Sequence, residues 1–177
     1  MANYYTDHPE LKFHLENPLM KRAVDLREHF YEDKDKYEEA PVDYRDAVAN
    51  YDKILEIAGD VAGNVIAPNS EAVDLEGPHL VDGRMHYASK TCENIEAIRK
   101  AGLTGVSMAR RYGGLNLPTF VFSMISEVVS AADASFQNIW SLQSCAETLY
   151  EFGSEEQRQR FIPRICKGET MSMDLTE

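Results

Sequence analysis

Tyr44, Val48, Tyr51, Leu55, Ala58, Val61 and Val65 fall three or four residues apart. That spacing predicts one long amphipathic helix. Asp43 is placed to cap its start, and Pro68-Asn69 is expected to end it. Gly59 and Gly63 sit inside it, where each costs ~1 kcal/mol relative to Ala. Their spacing predicts close approach by another helix. A membrane reading of the same pair fails, because Glu56 and Asp60 interrupt the segment. Upstream, Asn17-Pro18 opens a helical pattern carried by Leu19, Ala23, Leu26 and Phe30. The charged run Glu32–Glu39, ending at Pro41, reads as a solvated linker.

Downstream, residues 69–90 read as a long connection with a tight turn at Asp82-Gly83, the tip of a small hairpin. Ile95, Ile98 and Ala101 define a short helix closed by Gly102. Residues Pro118–Phe152 are strongly helical, with Phe120, Met124, Val128 and Ala131 as one stripe and a cap or break at Asp133. A second helix carries Phe136, Ile139, Trp140, Ala146 and Leu149. It is apolar over much of its circumference, as at the centre of a bundle. Gly153 is read as a left-handed stop, and Ser154 to Gln157 as a capping box opening a helix to Ile165. Lys167-Gly168 closes that helix. Met171, Met173 and Leu175 then alternate with polar residues, the period of an incoming strand. The pattern as a whole predicts an all-α helical bundle with a β-strand beginning at its C-terminal end.

Composition narrows the function. The chain of 177 residues carries a net charge of −12, which disfavours nucleic-acid backbones and anionic membrane surfaces. No apolar run approaches the ~20 residues that span a bilayer. The start lacks the basic and apolar regions of a secretory signal. Cys92, Cys145 and Cys166 are widely spaced with no CxxC pair, which fits a reducing compartment and a cytoplasmic location.

Residue chemistry names no catalyst. His79, His86, Glu71, Asp74, Glu76 and Asp82 share a connection but no ligand motif, and the calcium-loop spacing is missing. The double glycine in Tyr112-Gly113-Gly114 offers either a phosphate cradle or a sharp loop needing positive φ, and the sharp loop is the better reading. Glu155 and Glu156 occupy a helix first turn, where they complement the dipole. No residue pattern supplies a general base.

The segment Phe152–Glu169, FGSEEQRQRFIPRICKGE, resembles the end of the N-terminal helical domain of the acyl-CoA dehydrogenases. Leu175-Thr176-Glu177 resembles the start of that family's TEP strand. Ala101-Gly102-Leu103, Tyr112-Gly113-Gly114 and Asp133-Ala134-Ser135-Phe136 extend the resemblance backward. It divides the chain into an extension and linker over 1–42, the helical domain over 43–169, and the start of a middle β-domain over 170–177.

The resemblance implies an FAD-dependent oxidoreductase of lipid metabolism that converts an acyl-CoA thioester to a trans-2-enoyl-CoA. It implies electron transfer to an electron-transferring flavoprotein, and a homo-oligomer. Met173, Leu175 and Thr176 are the implied flavin contacts. Phe136, Gln137 and Trp140 are the implied wall of the acyl pocket, with the indole shortening or reshaping it. The family's glutamate base belongs to a C-terminal domain, so the chain alone is expected to be inactive. Arg110-Arg111 and Asn116 depart from the family pattern, the asparagine standing where a Gly is usual. Rival readings are a helical interaction module without flavin and an acyl-CoA oxidase-type relative.

Overall fold

The long amphipathic stripe forms α3, Tyr44–Val61, and buries Tyr51, Leu55 and Ala58. Asp43 caps it by accepting the Asp46 N–H at 2.9 Å. The computed structural model describes residues 2–172. Met171 and Ser172 have no strand partner, and the rest of the expected strand, with Met173, Leu175 and Thr176, lies outside the described residues. Pro68 does not end the helix. A π-turn over Ala62–Ile66, where the Ala67 N–H reaches the Ala62 carbonyl, precedes it. The wider turn accommodates the proline, which lacks an N–H and crowds the preceding turn. The helix then continues as α4, Ala67–Glu76.

The hairpin forms as expected, with β1 (His79–Val81) antiparallel to β2 (Arg84–His86) and Leu80 opposite Met85. Asp82 and Gly83 have φ of 49° and 76°, the paired left-handed residues that a tight hairpin turn needs. α5, Ser89–Lys100, packs on α4. A loop over residues 103–117 leads to α6, Thr119–Ala132, which packs on α3. α7 (Ala134–Ser141), a 3-10 turn over Leu142–Ser144, and α8 (Cys145–Phe152) follow. α9, Glu155–Cys166, opens with the expected capping box. Gly153 has φ −72°, so the stop before that box is extended rather than left-handed. Glycine is needed there because a Cβ would strike the Leu149 carbonyl. Among the described residues no helix is long and apolar enough to cross a membrane.

The N-terminal segment does not stand apart from residues 43–169. α1 (Pro9–Leu15) and α2 (Lys21–Arg27) contribute Leu11, Leu15 and Val24 to the same core as α3 and α6. Leu19, Leu26 and Phe30, the expected apolar stripe, are exposed. α2 meets α3 through Val24 and the following Glu28, so the sequence period picked the wrong face. Gly59 and Gly63 receive the backbone of residues 2–5 instead of a helix: a Cβ at Gly59 would meet Asn3 and Tyr5, and one at Gly63 the Ala2 carbonyl.

Candidate functional site

Asp133 sets up the site. It breaks the chain between α6 and α7 at φ −159°. Its carboxylate accepts the Ser135 and Phe136 N–H groups at 2.8 and 3.0 Å, satisfying two of the orphan donors of α7. The turn aims Phe136 and Trp140, four residues apart on one helix face, into the body of the domain, where both are buried. The indole N–H donates to the Leu103 carbonyl at 2.8 Å. Phe122 stacks on the indole with centroids 5.2 Å apart and 16° between planes. Gln143 donates to the Leu103 and Trp140 carbonyls and accepts the Val106 N–H at 3.1 Å. The indole therefore has little rotational freedom.

One edge of Phe136 and Trp140 faces a narrow crevice walled on its other sides by Ile95 and Ile98 of α5, by Ile165, and by the run Gly168–Met171. The enclosed space is about 40 Å³. Ligand pockets hold roughly 300–1,000 Å³, so this crevice is one wall of a site, with room for a few waters at most. Glu169 is the ionisable residue of the lining; Arg164 bonds it at 2.9 Å and holds its carboxyl below the usual range. Such a surface can exclude water and shape an apolar group, and it offers no buried acid or base.

Of the three expected pocket residues, Phe136 and Trp140 share the crevice and Gln137 does not line it. Gln137 turns toward Ser126 of α6. Ile95, Ile98 and Gln143 line the crevice too and were not among the residues expected there. Gln143 carried a signal, a polar residue one turn beyond Trp140 in an apolar helix. The isoleucines carried none, because their stripe reads only as core.

The glycine loop is the sharp one. Gly113 has φ 87°, and a Cβ on Gly114 would strike the Met108 and Gly105 carbonyls. The amides of Gly113, Asn116 and Leu117 bond the Arg110, Met108 and Val106 carbonyls at 2.8 Å. They are committed to the loop itself and do not form a phosphate cradle. Among the described residues no three His, Cys, Asp or Glu side chains could hold a metal.

All of the crevice lining except Thr170 and Met171 lies inside a known domain. Residues 50–169 match the family model of the acyl-CoA dehydrogenase N-terminal domain. That match covers more than half of the chain, and the chain belongs to the acyl-CoA dehydrogenase family. A 3-methylmercaptopropionyl-CoA dehydrogenase of Ruegeria pomeroyi is 30% identical over 125 residues, 70% of this chain and 21% of that protein. A probable acyl-CoA dehydrogenase, YngJ, of Bacillus subtilis is 28% identical over 127 residues, covering 70% and 30%. The mitochondrial isovaleryl-CoA dehydrogenase of Solanum tuberosum is 26% identical over 106 residues, covering 59% and 24%. The chain thus spans less than a third of each of these relatives.

Proposed function

We propose that this chain is the N-terminal domain of an FAD-dependent acyl-CoA dehydrogenase that oxidises the Cα–Cβ bond of an acyl-CoA thioester to a trans-2-enoyl-CoA. The observation that carries the reading is the apolar wall built by Phe136 and Trp140, inside the family's domain, against the run Gly168–Met171 at its end. FAD, when bound, supplies the hydride acceptor. Met173, Leu175 and Thr176 are the residues of this chain that would hold it. They follow directly on Met171, which lines the crevice, and that order suits a flavin at the mouth of an acyl site. Phe136 and Trp140 hold the acyl chain and keep water from it. The base that takes the α-proton belongs to another part of the protein. An electron-transferring flavoprotein as acceptor and a homo-oligomeric assembly complete the proposal by family resemblance, and a cytoplasmic location by the widely spaced cysteines with no CxxC pair.

The test is an activity profile of the full-length protein over acyl-CoAs of increasing chain length. Flavin-dependent enoyl-CoA formation on short chains is expected, and Trp140→Ala shifts the optimum to longer ones. A profile unmoved by Trp140→Ala removes the indole from the pocket. Turnover that consumes oxygen and releases peroxide reassigns the protein to the oxidase-type relatives.

A further inference from the structure

Two residues of the 103–117 loop, Arg110 and Asn116, bond neighbouring residues of the N-terminal segment. Arg110 is paired with Glu28 through two contacts, at 2.6 and 3.1 Å. Tyr51 of α3 donates to the same carboxylate at 2.6 Å. Asn116, with φ 56°, donates its side-chain amide to the Arg27 carbonyl at 3.0 Å. Arg27 returns the contact through Nε to the Asn116 carbonyl at 3.1 Å and through Nη2 to the Ser107 carbonyl.

The far side of the same loop holds the crevice wall. Ser107 and Asn116 sit beside the rung in which the Leu117 N–H bonds the Val106 carbonyl at 2.8 Å. Val106 donates to Gln143, and Leu103 accepts from Trp140. Hydrogen bonds joined by the intervening peptide links therefore run from Arg27 to the indole.

Val24 shares the hydrophobic core with Leu103, Val106 and Leu117 of the loop, and the clamp adds polar ties to that packing. Crevices of about 370 and 420 Å³ border Arg110, one toward residues 38–41 and the other toward residues 27–37. The segment also holds a costly shape. His29, Phe30 and Tyr31 have φ of 48°, 53° and 65°, three successive left-handed residues with no glycine among them. Such strain persists only where surrounding contacts over-determine it. Phe30 is exposed, so apolar burial of its ring does not hold it. Tyr31 does: it packs against the core, its N–H bonds the Glu28 carbonyl, and its hydroxyl donates to Asp25, both bonds at 2.7 Å.

We propose that residues 21–31 are a positioning strap for the substrate-side wall: Arg27 and Glu28 hold the 103–117 loop, and the loop sets the position of Trp140. The strap's grip on the wall does not depend on what the crevice binds, so it stands or falls separately from the proposed reaction.

Trp140 is the sole tryptophan, so its emission reads the wall. In the full chain, Arg27→Gln is expected to red-shift that emission and speed acrylamide quenching while far-UV circular dichroism is retained. Asn116→Gly, which suits the positive φ and removes only the side-chain contact, shifts both in the same direction by less. Tyr5→Phe is the control. It loosens the N-terminal segment from Asp52 of α3, a 2.5 Å bond remote from the loop, and leaves the emission unchanged. A folded Arg27→Gln protein with wild-type emission and quenching overturns the strap, as does a Tyr5→Phe shift of equal size. If Arg27→Gln loses its helical signal, Asn116→Gly decides, and unchanged quenching there overturns the proposal.

Discussion

Cys166 shows how one residue's surroundings set its chemistry. Its side chain lies against Gly105, where a Cβ would collide with it, and the Thr104 hydroxyl bonds its carbonyl at 2.8 Å. Burial pushes the thiol up to about 11 from the ordinary 9.0. The folded state thus favours the neutral form. The stability linked to this group is complete below pH 9.0 and is lost between there and about pH 11, where the unfolded chain ionises and the folded one does not. Urea titrations across that window should show a shallower alkaline decline for Cys166→Ala, and an unchanged slope would contradict this. Nothing in the sequence separated Cys166 from the exposed Cys92, because burial is not a property of residue type. The Glu28–Arg110 pair was equally silent. The two residues lie 82 positions apart, and each reads as one more surface charge until the fold buries both. The capping box at Ser154 was legible because both of its partners lie within four residues.

At the scale of elements, α3 separates what periodicity can say from what it cannot. Its stripe and its Asp43 cap were readable, since both follow from local geometry. The continuation through Pro68 was not, because the π-turn that accommodates it is held by packing on α5 and α6. The role of Gly59 changed as well: it admits a backbone, where the spacing suggested a helix. Gly59→Ala should therefore act on the N-terminal segment. Helix propensity alone would favour alanine by ~1 kcal/mol. The clash with Asn3 and Tyr5 outweighs it, since forced overpacking costs ~1–3 kcal/mol. A net loss of stability is expected, with faster hydrogen exchange confined first to the amides of residues 4–8. Stabilisation by Gly59→Ala would show that the contact is slack.

For the whole molecule, the expected outcome concerns what the chain does by itself. The crevice supplies an apolar wall and no acid–base pair, so a preparation of residues 1–177 should be colourless and inactive toward acyl-CoA, and a yellow, reducible preparation would refute this. The all-α architecture and the hairpin were legible in the sequence for one physical reason, and the family domain through the resemblance carried by Phe152–Glu169. Helical periodicity, caps and turn residues depend on neighbours within a few positions of each other. The tertiary structure alone decided that Tyr5, Leu11, Leu15 and Val24 join the core, that Leu19, Leu26 and Phe30 face solvent, and that Gln137 does not line the crevice. It alone joined Arg27 to Asn116 and Glu28 to Arg110. Those facts turn on which face meets which partner, over separations from 11 positions for Gln137 and Ser126 to 89 for Arg27 and Asn116, and a chain's local preferences do not encode that pairing.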